Sequence, residues 1–453
     1  MSVPLSDSVP TPDFYTYQWL PLISAVVDQP FVDLAWADGT TLRAYGWWLR
    51  ESVVAVGATD PTTREGTVDP ADFADHLRVT TAAIDTEGAL TLAFSDGFSG
   101  IIHPGWLHHV ALGHNQPESG LPTMTVWTPE TLPSPPTFDG ADLLSGDTNQ
   151  LTAFVRAMVE YGLARLANVP AVVGDGTNQA GPEQTEGLAA ITDLIGVRRR
   201  TNFGELWNVK AEITGNFENT TANTGFRLGP HTDLPTRETP PGFQFLHCVA
   251  NSVPGGWSTM ADGAALVAHL EAEEPETYEA LTTLNWVFFN RSREHDHRWR
   301  GPMIDRGGPE SPLTLRAFYP LRAFPDMDPD DVPRAYRAAK RFHQLAGDPR
   351  FQIRYPFAAG DLVGFDNRRI LHGRDAFDPG AGFRHLRGTY IDHDEVYSRL
   401  RVLTRQQAAA ATWAEASTPT SDPTPAPLLT PLPPSNLPTE VEYSEGNQEV
   451  VAP

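Results

Sequence analysis

Between Phe31 and Leu112 apolar and polar residues alternate in short runs. Phe31-Val32-Asp33-Leu34-Ala35-Trp36, Thr41-Leu42-Arg43-Ala44-Tyr45 and Leu90-Thr91-Leu92-Ala93-Phe94 carry the period-2 pattern of half-buried strands. Asp38-Gly39 and Asp96-Gly97 supply turn signals between such runs. The pattern predicts a small β-rich N-terminal domain over residues 18–115. Residues 116–140 are crowded with proline and read as a linker. The period then changes. Asp147 can cap a helix running to about Leu166, with Leu151, Phe154, Val155, Met158, Val159 and Leu163 as its buried stripe. A second helix is expected over 183–195, ended by Gly196, and the strands of the main domain from about Asn202 onward.

Two further helices are expected at 261–271 and 329–345, the latter with Val332, Tyr336, Ala339, Phe342 and Leu345 in helical spacing. The main domain thus occupies 141–405, and 406–453 is a tail: a short frayed helix to Ala416, then a Pro/Thr/Ser/Glu-rich stretch too polar to fold alone.

The chemistry concentrates in Gly229-Pro230-His231-Thr232-Asp233-Leu234-Pro235 and in Ile370-Leu371-His372-Gly373-Arg374. On an extended chain His231 and Asp233 project to one face, so both can hold one ion. His372 follows an apolar, β-prone run, Leu362-Val363-Gly364-Phe365, that turns polar at Asp366-Asn367. Two imidazoles and one carboxylate leave three positions of an octahedral metal open, the arrangement of non-haem Fe(II) oxygenases. Zinc with the same ligands is the chemical rival. A ferrous ion here needs an electron-rich partner, usually 2-oxoglutarate, whose distal carboxylate calls for a buried arginine and a hydroxyl. On a strand Arg384, Leu386, Gly388 and Tyr390 share one face, which lets Arg384 look inward and turns Arg387 away. Ser258, after Gly255-Gly256-Trp257, can supply the hydroxyl, with Thr259 second. Strands and turns around these residues imply a mainly β fold with flanking helices: a double-stranded β-helix, or jelly roll, carrying the metal at its open end.

A formal charge of −24 argues against nucleic acid or an anionic membrane as partner. Lys210 and Lys340 are the only lysines, a bias general enough to read as genomic habit. The single cysteine, Cys248, excludes an internal disulfide and a multi-cysteine zinc site, and its apolar neighbours make it a buried small hydrophobe. Neither a secretory leader nor an 18-residue apolar run is visible, so a cytoplasmic protein is expected. His295-Asp296-His297 lies in a charged stretch and reads as a solvated loop.

Taken in order, His231-Thr232-Asp233, Gly255-Gly256-x-Ser258, Asp366-Asn367, Leu371-His372-Gly373-Arg374 and Arg384-His385-Leu386 resemble the γ-butyrobetaine dioxygenase branch of the taurine-dioxygenase-like oxygenases. The likeness spans roughly 25–405 and continues through Tyr390 to Val402. It implies Fe(II), 2-oxoglutarate and dioxygen, with ascorbate as an accessory. His231, Asp233 and His372 would be the ligands, and Arg384 with Ser258 would hold the cosubstrate. Trp48-Leu49-Arg50-Glu51 resembles a family motif after which cysteines usually hold zinc, but Ser52-Val53-Val54-Ala55 has none. No structural zinc is therefore expected, and the N-terminal domain should rest on its apolar core alone.

The family encloses a trimethylammonium group in aromatic rings, which attract cations through their π-faces. The matching positions are Phe203, Trp207, Tyr390 and Asn223, the last where the family has tyrosine. The asparagines that would meet the substrate's acid near Leu315 to Tyr319 are missing, which leaves Arg316 or Tyr319 for that task. The resemblance thus implies hydroxylation of a small zwitterion, γ-butyrobetaine to carnitine foremost. A trimethylammonium phosphonate, trimethyllysine or a secondary-metabolite acid are the alternatives. A non-catalytic metabolite-binding module and a zinc hydrolase are readings of other classes. Family members are often homodimers, and no stretch selects an interface.

Overall fold

The computed structural model describes residues 9–173, 185–210, 222–306, 313–317 and 322–416. The described residues up to Gln406 form one compact unit. Among the described residues no helix is long and apolar enough to cross a membrane.

In the N-terminal region the period-2 runs become strands. Phe31–Trp36 buries Val32, Leu34 and Trp36 and pairs antiparallel with Leu22–Asp28 and Thr41–Tyr45. A second antiparallel sheet joins Val79–Ile84, Leu90–Phe94 and Ser99–Ile102. With helix Pro104–Ala111 they enclose Leu34, Leu49, Leu92, Phe94, Trp106 and Leu107. That core does not stand alone. The side chain of Arg50 is buried, its guanidinium 3.5 Å from the Phe98 ring centroid, with Nε donating to Asp96 at 3.0 Å and Nη1 to the Gly57 carbonyl at 2.9 Å. An anchored cation thus stands beside the stretch that lacks cysteines.

The larger, C-terminal part is a two-sheet sandwich. The major sheet runs Trp207–Lys210, Arg384–Ile391, Phe243–Asn251, Leu362–Asp366, Leu163–Ala167, Thr137–Asp139, antiparallel except for its last pair. The minor sheet runs Leu228–His231, Ile370–Arg374, Ser258–Asp262, Gln352–Tyr355, all antiparallel. Met260 and Ile353 meet Leu163, Cys248, Val363, Phe365 and Leu386 between them. This is the expected jelly roll, but it begins well before Asn202, at Thr137.

Helix Thr148–Tyr161 starts as expected, Asp147 accepting from the amides of Asn149 and Gln150. It ends five residues earlier than the apolar spacing suggests, at Gly162 with φ +70°, and Leu163–Ala167 is a strand of the major sheet. The second helix is Gly187–Asp193; the start expected for it at Glu183 lies outside the described residues. In the proline-rich stretch Trp127 is buried, its backbone amide donating to Asp262 and its indole to the Tyr161 carbonyl. Between the strands Ser258–Asp262 and Gln352–Tyr355 an insertion contributes helices Gly263–Glu273, Pro275–Thr283 and Val332–Ala346. It also carries a sheet of Trp286–Arg291, Asp296–Gly301 and Arg322–Pro325. His297 is therefore on a strand, where a loop was expected. Helix His393–Ala416 is continuous where only a short one was expected after Arg405, and the expected disordered tail beyond it lies outside the described residues.

Candidate metal centre and active site

His231 closes the Leu228–His231 strand and stands directly opposite His372 on Ile370–Arg374, ring centroids 4.2 Å apart. Thr232 turns the other way, its amide donating to the Ala317 carbonyl and its hydroxyl to the Leu315 carbonyl. That pinning leaves Asp233 facing the histidines, with Oδ1 3.3 Å from His231 Nε2 and 3.8 Å from His372 Nε2. The three candidate donor atoms lie within 4.8 Å of one another, a group that could hold one metal ion.

The surroundings orient each donor. His231 Nδ1 donates to the Gly229 carbonyl at 2.9 Å, which turns the Nε2 lone pair to the centre. Phe365 packs on His372 at 4.8 Å between centroids. The Asp233 amide donates to Asn367 Oδ1 at 2.6 Å, and Asn367 Nδ2 returns a bond to the Asp233 carbonyl at 3.0 Å. Asn367 thus holds Asp233, while Asp366 accepts from His393 at 2.9 Å. Asp233 Oδ2 accepts from the Tyr390 hydroxyl at 2.8 Å. Burial alone would push the Asp233 carboxyl up, but His372, His231 and Tyr390 hold it well below the usual carboxylate range. Burial, with His231 beside it, pushes His372 down to about 3, so it is a neutral donor at physiological pH.

Beside this centre the register sets Ser258 opposite Arg374 and Met260 opposite His372. Ser258 therefore shares the inward face with His372, and Thr259 points away. Gly255 and Gly256, at φ +82° and +60°, make the left-handed turn that brings Ser258 onto this strand. Arg374 is buried and committed: its guanidinium donates to the carbonyls of Ala222, Thr224 and Phe226 at 2.6–2.9 Å. Arg384, on the inner face of the opposite sheet, differs. It is 4% exposed, Nε is buried without a partner, and among the described residues its guanidinium makes no hydrogen bond or ion pair. Burial holds its pKa below the usual guanidinium value, as expected of an isolated cation awaiting an anion. The donor triad and this arginine fit a ferrous ion with a bound dicarboxylate. Arg387, as its strand parity requires, points away and pairs with Glu186 at 2.8 Å.

Of the expected cage residues, Trp207 and Tyr390 come together at 5.5 Å between centroids. Gly388, directly opposite Trp207 in the sheet, makes that possible: a Cβ there would lie 2.2–2.5 Å from three indole carbons. Phe203 is 41% exposed in the turn Thr201–Gly204 and has no recorded ring contact with either. Asn223 Oδ1 accepts from the Lys210 amide at 3.2 Å, tying its loop to the edge of the major sheet. Arg316 does not face a substrate. It is buried over the Trp299 ring, with its guanidinium donating to the carbonyls of Pro235, Arg237 and Glu238. Tyr319 lies outside the described residues.

Sequence reasoning missed the Tyr390 hydroxyl on Asp233 and the Asn367 clamp. Strand parity placed Tyr390 on the right face, but which group its hydroxyl reaches depends on a turn 157 residues away.

The model of the taurine catabolism dioxygenase TauD, TfdA family matches residues 127–390. A γ-butyrobetaine dioxygenase from Pseudomonas sp. (strain AK-1) is 36% identical over 400 residues, 87% of this chain and 99% of that protein. The mitochondrial trimethyllysine dioxygenase of Mus musculus is 25% identical over 374 residues, 81% of this chain and 84% of that protein. Among solved structures, a taurine dioxygenase from Burkholderia xenovorans is 16% identical, covering 54% of this chain and 80% of that one with a TM-score of 0.38.

Proposed function

The chain belongs to the TauD, TfdA dioxygenase family, and on that premise we propose that it hydroxylates a C–H bond of a small quaternary ammonium zwitterion, γ-butyrobetaine to carnitine first among candidates. The cofactors are Fe(II) and 2-oxoglutarate, with dioxygen as cosubstrate. The observation that carries this reading is the convergence of His231, Asp233 and His372 beside a buried, unpartnered Arg384. A zinc hydrolase would have no use for that arginine, and the intact triad beside it argues against a non-catalytic module.

His231 and His372 would offer nitrogen donors and Asp233 an anionic oxygen, held in place by Asn367 and Tyr390. Arg384 pairs with the distal carboxylate of 2-oxoglutarate, and Ser258 adds a hydroxyl on the same inward face. When bound, the metal and 2-oxoglutarate supply the oxidising chemistry, with succinate and carbon dioxide as by-products. Trp207 and Tyr390 present π-faces to the substrate cation and exclude water from the reacting carbon. The names of the two relatives support the same substrate class, because γ-butyrobetaine and trimethyllysine both carry a trimethylammonium group.

The test is anaerobic reconstitution with Fe(II) and 2-oxoglutarate, then oxygen, with succinate measured with and without γ-butyrobetaine and in His231→Ala. Substrate-stimulated succinate with carnitine, lost in the variant, is expected. Succinate release indifferent to γ-butyrobetaine would move the substrate to another ammonium acid. No metal-dependent turnover would defeat the oxygenase reading.

A further inference from the structure

On the far side of the Asp233 turn lies a cavity of about 380 Å³ lined by Arg199, Arg200, Thr201, Asn202, Leu234, Arg237, His295 and His297. Its size suits a small molecule. Three arginines and two histidines line it and no acid does, in a chain with 57 acidic residues against 33 basic ones. Arg199 is neutralised, pairing with Asp392 at 2.9 Å. Arg237 is half-buried and donates to Asn202 Oδ1 at 2.7 Å; neither it nor Arg200 has a carboxylate partner among the described residues. Burial and the neighbouring Arg199 push Arg237 below its usual pKa, the signature of charges that repel one another in a partly dry space.

The cavity is also rigid. Leu234 takes φ +52°, a conformation rare outside glycine, which sends its side chain into the cavity wall while the preceding Asp233 faces the histidines. Arg237 donates its amide back to the Leu234 carbonyl at 3.1 Å, and Arg316 grips three carbonyls of the same turn. The arginine fork is thus pre-positioned.

We infer that this cavity is an anion-binding site for a carboxylate or phosphate-type group of a small molecule, either the acid end of the substrate or a separate small anion. If it holds the substrate's acid, it takes the part that Arg316 cannot play. The substrate assignment rests on the oxygenase reading above; the anion site does not.

Equilibrium dialysis of inorganic phosphate against the anaerobic Fe(II) protein, with one equivalent of 2-oxoglutarate to occupy Arg384 and none in excess, tests it without turnover. Saturable binding is expected, weakened about tenfold by Arg237→Gln and by Arg200→Gln. Arg200 is exposed, so its variant keeps the test valid if Arg237→Gln does not fold. Absence of saturable binding, or binding unchanged in both variants, overturns the inference. Displacement of phosphate by γ-butyrobetaine, with its KM raised in Arg237→Gln and that of 2-oxoglutarate unchanged, identifies the substrate's acid as the ligand. Phosphate that binds but is not displaced identifies a separate anion. Phosphate binding retained in a protein without turnover would strike the oxygenase reading alone.

Discussion

Replacing Tyr390 by phenylalanine keeps the ring beside Trp207 and removes one hydroxyl. That hydroxyl donates to Asp233 Oδ2 at 2.8 Å, while Oδ1 faces His231 and His372. It therefore fixes the rotation of the carboxylate whose other oxygen is offered to the metal. A hydrogen bond to a charged acceptor contributes roughly 1.5–3 kcal/mol. At about 1.4 kcal/mol per tenfold, that is roughly a 10- to 100-fold loss of metal affinity, the range typical for partners behind a metal ligand. Anaerobic titration of wild type and Tyr390→Phe with Fe(II), or with Mn(II) as a redox-inert probe, measures it. The KM for substrate should change little, because the π-face remains. Unchanged metal affinity with a substrate KM raised about tenfold would refute the reasoning and put the hydroxyl on the substrate.

Arg384→Met should raise the KM for 2-oxoglutarate about 100-fold without lowering the thermal stability of the apoprotein, because it removes an unpartnered buried cation. Arg384→Lys should not restore the KM, since an ammonium cannot form the bidentate pair. Gly388→Ala places a Cβ 2.2–2.5 Å from the Trp207 ring. It should displace the indole, raise the substrate KM alone and cost about 1–3 kcal/mol in denaturant melts. Asp262→Ala strands Arg369, which is 3% exposed and bonded to both oxygens of Asp262, and should destabilise by about 3–5 kcal/mol. Burial holds His103 below the usual imidazole value, and its Nδ1 must stay unprotonated to accept from the Gly105 and Trp106 amides. The unfolded chain binds that proton more readily, so this stability is present above about pH 6.5 and is lost as pH falls below it. In His103→Asn, which keeps a cap acceptor, denaturant midpoints between pH 5 and 7 should be flatter than in wild type.

Features set by local pattern were legible in the sequence. The strands at Phe31–Trp36, Thr41–Tyr45 and Leu90–Phe94 need only alternation and a turn, and Asp147 announces its helix through its own side chain. The helix end was misread because Leu163 and Leu166 continue its apolar spacing; their burial comes from pairing with Leu362–Asp366, nearly 200 residues on. Trp127 reads as linker for the same reason, since Asp262 is what receives its amide. At the candidate metal centre strand parity sufficed for the faces of His231 and Arg384, whereas Asp233 lies past the strand end and is turned to the histidines by the pinning of Thr232. Parity could not tell how far a side chain reaches, so Arg316 was offered to the substrate.

The scarcity of lysine, read from sequence as a genomic habit, acquires structural meaning in the interior. Among the described residues five arginines are buried: Arg50, Arg316, Arg369, Arg374 and Arg384. Arg316 and Arg374 each bind three backbone carbonyls, and Arg369 binds Asp262 with the carbonyls of Glu160 and Thr125. Arg50 joins Asp96 to the Gly57 carbonyl. A planar fork with five donors can gather separate chain segments in this way; an ammonium on a flexible stem cannot hold the same geometry. Four of the five are thus cross-braces whose charge is met by protein oxygen. Among the described residues Arg384 has no such partner, although burying an unpaired cation costs several kcal/mol. A fold that gives its other buried guanidiniums oxygen partners leaves this one open beside the metal centre, and the oxygen it lacks must come from a ligand. That asymmetry, invisible in a sequence where every arginine looks alike, is what singles out Arg384 for the cosubstrate role proposed above.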